Sequence, residues 1–291
     1  MTLYSVKHRT QYQYTHPVTF GRHRLMFRPR DSFDQTLLAC SLQTSPPPSS
    51  VRWIYDVFGN CIALVDIEAS SSELVIETRI KLDHTVHVPL DLEMHTDVRG
   101  YPFSYDDDEI IDLGRTVKRH YPDPDNAVAA WARQFVPVAG PARTGHVLMT
   151  LCYAIREIFS YSRREKHGIQ TPAETLRLRS GTCRDFALLM MEAVRSLGLA
   201  ARFVTGYIYV PDRDGDHNLG GGATHAWCQV YLPGAGWVEF DPTNGIVGNR
   251  ELIRVGVARD PKQAIPLSGS FEGKAGRLID MTVQVNVTTT E

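Results

Sequence analysis

The sequence predicts an α+β protein in which a β-rich N-terminal part precedes helices and then a mostly antiparallel sheet. Three observations carry this expectation. Short aromatic and β-branched runs separated by turn residues fill roughly the first 90 residues. Two stretches with apolar residues at helical spacing follow, over 144–159 and 183–197. Three strand candidates then crowd into 201–241.

Taken in order, residues 4–14 alternate aromatic and β-branched with polar side chains, as a half-buried strand does. Residues 51–55 and 61–65 flank Asp56-Val57-Phe58-Gly59-Asn60, whose Gly and Asn suit a tight hairpin turn. Residues 74–80 form a further strand candidate. Ser45-Pro46-Pro47-Pro48-Ser49-Ser50 is a loop, because proline cannot join a central ladder. Several short strands with turns between them predict a sandwich. Asp106-Asp107-Asp108-Glu109 and Tyr121-Pro122-Asp123-Pro124 belong to a solvated, proline-rich connector.

Asp125 is the expected cap of a helix to about Phe135, and Thr144 that of a second to about Phe159. In the second, Val147, Leu148, Leu151, Ala154, Ile155 and Ile158 make one core stripe. The third helix begins after Ser180-Gly181-Thr182, with Cys183 in its first turn, and ends at Gly198. Phe186, Leu189, Met190, Ala193, Val194 and Leu197 recur along it at helical spacing, so Met190 and Met191 read as packing. Residues 201–210, 224–232 and 237–241 follow as strands, the last two joined by Pro233-Gly234-Ala235-Gly236.

Composition excludes several classes. Lys and Arg number 31 against 33 Asp and Glu, a net charge of −2 with no basic block, which gives no electrostatic support for nucleic acid or an anionic membrane surface. No apolar run approaches the roughly 20 residues that span a bilayer, and the first residues lack a signal-peptide apolar region. The expectation is a soluble, cytoplasmic protein. Five cysteines, Cys40, Cys61, Cys152, Cys183 and Cys228, include no CxxC pair, against both a disulfide framework and a structural zinc site.

A thiol in the first turn of a helix is where a nucleophile belongs. Unpaired N–H groups and the helix dipole favour a thiolate there, and the same N–H groups can donate to an oxyanion. A strand histidine then serves as base and later as acid, with a carboxylate holding its tautomer. Cys183, His225 and Asp241 supply these groups in chain order. Each also has a plain structural reading: a buried thiol, a strand histidine beside Trp227, and a turn residue before Pro242. A four-residue loop would set Leu232 opposite Trp237 and Asp241 opposite Cys228, leaving His225 and Asp241 apart unless a bulge or longer path intervenes.

Three motifs resolve the function further. Gly181-Thr182-Cys183-Arg184-Asp185-Phe186-Ala187, Thr224-His225-Ala226-Trp227 and Gly236-Trp237-Val238-Glu239-Phe240-Asp241-Pro242-Thr243-Asn244 resemble the bacterial transglutaminase-like family, with pattern GxCxDFA, HAW and GWxxFDPTN. The stretch 197–207 also fits, and Trp53-Ile54-Tyr55-Asp56-Val57-Phe58-Gly59-Asn60 is similar to the companion N-terminal β-domain. The resemblance implies an N-terminal β-sandwich-like domain followed by a papain-like transglutaminase core, with helices packed on an antiparallel sheet. It implies a catalytic triad of Cys183, His225 and Asp241. Papain relatives themselves differ in their cysteine signature and have a far longer gap to histidine. The implied divisions are 1–95, β-rich; 96–140, a connector with helical segments; 141–265, the catalytic core; and 266–291, a tail with a strand. Thr182 and Arg184 depart from the family's common valine and glutamine, and Arg184 is a candidate to hold a thiolate or alter what binds.

The implied activity is attack on an amide or carboxamide carbonyl through a thioester acyl-enzyme, ending in hydrolysis or transfer to an amine. The partner is then a protein or peptide substrate with a glutamine side chain, with an amine as acceptor and no cofactor or metal. The alternative is a catalytically silent module that binds peptide or protein in the same cleft. Asp212-Arg213-Asp214-Gly215-Asp216-His217-Asn218 lacks the glycine and glutamate positions of a calcium loop and reads as solvated. Gly220-Gly221-Gly222 beside His225 suits a gate. His84, His87 and His120 read as surface or core histidines, and Trp227 and Trp237 as packing or as walls of an acceptor groove.

Overall fold

The computed structural model describes residues 1–86, 99–138, 140, 142–162, 168–211 and 222–290. The N-terminal part is built from β1 (Thr2–Phe20), β2 (His23–Arg28), β3 (Gln35–Ser45), β4 (Ser50–Tyr55), β5 (Cys61–Asp66) and β6 (Ser71–His84). Strand β1 alternates as expected, with Tyr4, Val6, His8 and Thr10 buried at period two. It pairs antiparallel with β6, which pairs with β3, while β2, β5 and β4 make a second sheet. Tyr14, Val18, Phe20, Leu25, Phe27, Ala63, Val65, Leu74 and Ile76 from the two sheets share one buried cluster, so the sheets face each other as a sandwich. The hairpin turn closes on Asp56, whose Oδ1 accepts the Phe58 and Asn60 N–H groups, and Gly59 supplies φ +72°.

The free edge of β1 is covered from the far end of the chain. Leu278–Thr290 runs antiparallel to it, from Leu3↔Thr290 to Tyr14↔Leu278. We call this strand β11.

Between these lie helices α1 (Asp107–Leu113), α2 (Ala127–Arg133), α3 (Thr144–Ile158), α4 (Pro172–Leu178) and α5 (Cys183–Ser196), with strands β7 (Ala201–Ile208), β8 (His225–Leu232), β9 (Gly236–Asp241) and β10 (Leu252–Ala258). The core sheet is antiparallel throughout, in the order Ile246–Val247, β9, β8, β7, β10. Helix α5 packs on it through Phe186, Leu189, Met190, Ala193 and Val194. Its remaining sides are also buried, and its polar members are satisfied there. Glu192 accepts from Arg195 Nη1 at 2.9 Å and from the His120 and Tyr121 N–H groups, while Arg195 donates to the Ala201 and Arg259 carbonyls.

Two details differ from expectation. Helix α2 is capped by Asp123, whose carboxylate accepts the Val128 and Ala129 N–H groups, whereas Asp125 makes no such bond; Asn126 sits at φ 52° and turns the chain so that the earlier carboxylate faces the helix start. Ile158 is 47% exposed although it completes the α3 stripe. The chain leaves the helix there in an extended conformation, and Phe159 turns inward to pack against Trp131 and Phe186.

The sandwich is fastened to the outer strand of the core sheet by two side-chain amides. Gln35 accepts from Arg254 N at 3.0 Å and donates to Arg254 O at 2.8 Å. Asn60 accepts from Val257 N at 2.9 Å and donates to Val257 O at 2.7 Å. Each amide thereby replaces one residue of a missing ladder partner for β10. No helix among the described residues is long and apolar enough to cross a membrane.

Candidate active site

The start of α5 is held by Asp185. Its Oδ2 accepts from Thr182 N and Thr182 Oγ1, both at 2.8 Å, and its Oδ1 accepts from Gln170 N at 2.8 Å. This capping interaction fixes the first turn and with it Cys183, which is 6% exposed. Gly181 is required by crowding: a Cβ there would lie 2.9 Å from Asp185 Cβ and 3.1 Å from Gln170 Nε2. The glycine and aspartate that bracket the cysteine are therefore parts of one cap.

His225 opens β8 and Asp241 closes β9, and the turn between the strands decides whether they meet. The register is Leu232↔Gly236, Tyr231↔Trp237 and Cys228↔Phe240. The loop is thus Pro233-Gly234-Ala235, one residue shorter than the sequence suggested, and Gly236 at φ +71° starts the return strand. Continuing this register sets Asp241 level with Trp227, diagonal to His225 and on the same side of the ribbon. The bulge that the four-residue loop would have demanded is not needed.

His225 Nε2 and Asp241 Oδ2 are 2.8 Å apart, both side chains fully buried. Asp241 Oδ2 also accepts from Asn244 Nδ2 at 2.7 Å, and its Oδ1 accepts from Thr243 N at 2.9 Å. Burial opposes the charge of Asp241, but His225 and these donors outweigh it and hold the carboxyl below its usual range. Burial likewise opposes the imidazolium. The Asp241 carboxylate overrides that effect, a side-chain hydrogen bond with Cys183 adds to it, and the His225 pKa is pushed up to about 10. His225 Nδ1 is buried with no partner nitrogen or oxygen among the described residues.

The Trp227 ring lies against the imidazole at 5.9 Å and 27° between planes. Gly206 makes room for it, since a Cβ there would meet Trp227 Cη2 at 2.8 Å and Ile253 O at 2.0 Å. The structure thus brings Cys183, His225 and Asp241 together. It adds Asn244 as a second side-chain contact to the carboxylate, a residue visible in the FDPTN string but with no role in the sequence reading.

Other candidates fall elsewhere. Arg184 donates from Nη2 to Pro261 O at 2.7 Å and stands over the Phe203 ring at 4.9 Å, contacts that fasten it to the 261–264 turn. Burial pushes the thiols of Cys40, Cys61, Cys152 and Cys228 up. His84 bonds Leu252 O and His120 bonds Arg115 O, and among the described residues no group of three or more His, Cys, Asp or Glu is arranged to hold a metal. His87, the stretch 212–218 and Gly220-Gly221 lie outside the described residues; Gly222 O accepts from Val285 N of β11 at 3.0 Å. Trp237 is half-buried under Arg202, separate from the buried Trp227.

The chain matches two family models, the bacterial transglutaminase-like N-terminal region over residues 4–83 and the transglutaminase-like superfamily over residues 130–242. The Mycobacterium bovis protein Mb2599c is 30% identical over 298 residues, covering 97% of this chain and 92% of its own. A protein-glutamine gamma-glutamyltransferase of Pseudomonas aeruginosa is 33% identical over 79 residues, covering 25% of this chain and 11% of that protein. A candidate cysteine protease from Cytophaga hutchinsonii shares the fold, with a TM-score of 0.72 and 19% identity over 100% of this chain and 93% of that one. Two family models in tandem and a relative matched nearly end to end agree with the helix-capped cysteine and the antiparallel sheet beneath it: the chain belongs to the transglutaminase-like superfamily and carries the bacterial transglutaminase-like N-terminal region.

Proposed function

We propose that the protein is a thiol enzyme acting on carboxamide groups, with Cys183 as nucleophile, His225 as general base and acid, and Asp241 as the group that orients His225. The buried 2.8 Å contact between His225 and Asp241, beside a cysteine in the first turn of α5, is the observation that carries this reading. With Nε2 engaged by Asp241, Nδ1 is the ring nitrogen left to exchange a proton with Cys183.

The Cys183 sulfur attacks the carbonyl carbon of a glutamine-type side chain, and N–H groups at the start of α5 stabilise the oxyanion. The C–N bond breaks, His225 gives its proton to the departing nitrogen, and ammonia leaves behind a thioester. An incoming amine or water then loses a proton to His225 and attacks the thioester. The C–S bond breaks, releasing a substituted amide or a carboxylic acid and regenerating the thiol. The local likeness to a protein-glutamine gamma-glutamyltransferase supports a glutamine side chain as the acyl donor.

Ammonia release from glutamine-containing peptides, followed with and without a primary amine, tests this function. Release by the wild type and none by Cys183→Ala is the expected result. Equal release by both proteins contradicts it, and binding of peptides without turnover by either favours a silent module.

A further inference from the structure

Side chains on the sheet face opposite α5 line a cavity of about 350 Å³ between the core and the loop Arg30–Asp34. Its floor is one cross-strand row, Arg202↔Gln229↔Glu239, at positions alternating with Phe203, Cys228, Val230 and Phe240, which pack in the core with α5. We propose that this cavity binds small organic anions, with the Arg202 guanidinium meeting a carboxylate or phosphate group and the Trp237 ring lying against the body of the ligand.

Glu239 Oε1 accepts from Arg254 Nη1 at 2.6 Å and from Gln229 Nε2 at 2.7 Å. Asp34 is held by Arg254 at 3.0 Å and by Asn249 at 2.9 Å, and Asp31 accepts the Leu37 N–H. Arg254 therefore engages both Glu239 and Asp34. Among the described residues Arg202 hydrogen-bonds a neutral group, donating from Nε to Gln229 Oε1 at 2.7 Å, and stacks on Trp237 at 4.1 Å from the ring centroid. Neither Arg202 nor Arg30 forms an ion pair with a described carboxylate, and Arg30 Nη1 donates to Phe58 O.

Burial disfavours the Arg202 cation, nearby Arg254 and Arg30 add to that, and Glu239 only partly offsets it, so its pKa falls to about 9. Arginine stays protonated in practice, so the fold holds an incompletely compensated cation, without an ion-pair partner among the described residues, at the wall of a cavity. An anion bound there gains what Arg202 lacks, and a guanidinium's planar fork suits carboxylate and phosphate alike. A second cavity of about 470 Å³ also touches Arg202 and Trp237, which gives the body of the ligand space on either side of the stacked pair. Both lie within the size range of small-molecule sites, about 300–1,000 Å³.

The test is a fluorescence titration of the full chain, confirmed by calorimetry, at fixed ionic strength. The probes are 3-phenylpropionate, phenyl phosphate and the uncharged 3-phenylpropanol. Saturable binding of at least one charged probe, none of the alcohol, and a loss of at least about tenfold in Arg202→Gln support the site. The tighter of the two charged probes identifies carboxylate or phosphate as the preferred group. The exposed Lys274→Gln control should bind as the wild type does, and so should Cys183→Ala, because the site is independent of the thiol chemistry. If Arg202→Gln loses its far-UV circular dichroism, Arg30→Gln replaces it and should also bind more weakly. No saturation by either charged probe at millimolar concentrations, or undiminished binding in the folded arginine variant, overturns the proposal.

Discussion

Asp241 meets His225 at 2.8 Å because the turn joining their strands has three residues, and a fourth would send the carboxylate to the other side of the ribbon. Strand side chains alternate, so a slip of one residue exchanges faces. The contact at the candidate site therefore depends on Gly234 and Gly236, which sit at φ +88° and +71° and close the short loop. The conformational freedom of two glycines outside the site determines whether one carboxylate oxygen, Asp241 Oδ2, reaches the His225 imidazole.

Asp241→Asn tests the orienting role. The amide can still bond Thr243 N and keep the turn, but it favours the wrong imidazole tautomer. We expect kcat and kcat/KM to fall together by roughly two to four orders of magnitude with little change in KM. Steady-state kinetics on a glutamine peptide decide it; near-wild-type values would leave Asp241 as a turn residue only.

The raised His225 pKa gives a signed prediction about pH. The imidazolium is favoured in the folded state, so the stability it adds is fully present below the ordinary histidine pKa of about 6.5 and is lost as pH rises toward about 10. Urea denaturation should show wild-type stability declining across that window, with a flatter profile for Asp241→Asn. The alkaline limb of kcat/KM should move to lower pH in the same variant. Parallel profiles for the two proteins would contradict the coupling.

Much of this site is legible in the sequence because its signals are local. The Gly181–Asp185 string encodes its own cap, and the apolar spacing of α5 follows within a few residues. The loop of the β8–β9 hairpin is not legible, since Pro233-Gly234-Ala235-Gly236 admits either three or four residues. Strands β2 and β3 escape notice for a related reason. His23-Arg24-Leu25-Met26-Phe27-Arg28 buries three apolar residues in succession, and β3 is an outer strand with a weak pattern. Strand β11 finds its partner at the opposite end of the chain, Thr290 beside Leu3, where no local pattern names the pairing.

Asn60→Ala tests how the sandwich is fastened to the core. It removes both bonds to Val257 and leaves a buried N–H and C=O on β10 without partners. A loss of about 2–3 kcal/mol in urea denaturation is expected, with Cys183 still reactive. A change below about 0.5 kcal/mol would show that the amide contributes little to the junction.

Selective alkylation separates Cys183 from the other thiols. Burial pushes Cys40, Cys61, Cys152 and Cys228 up, away from the thiolate form that alkylates. Iodoacetamide below pH 7 should modify the wild type once, at Cys183, and leave Cys183→Ala unmodified. Peptide mapping that finds the label on another cysteine would count against a nucleophile at the start of α5.

Trapping the acyl-enzyme tests directly whether Cys183 forms a thioester with the substrate. Mixing the protein with a glutamine peptide, quenching in acid and recording the intact mass should reveal a covalent adduct equal to the peptide less ammonia. It should map to Cys183, release with hydroxylamine as a thioester does, and be absent from Cys183→Ala. Turnover of the peptide with no thioester adduct at Cys183, even when the quench precedes the first turnover, would contradict the account.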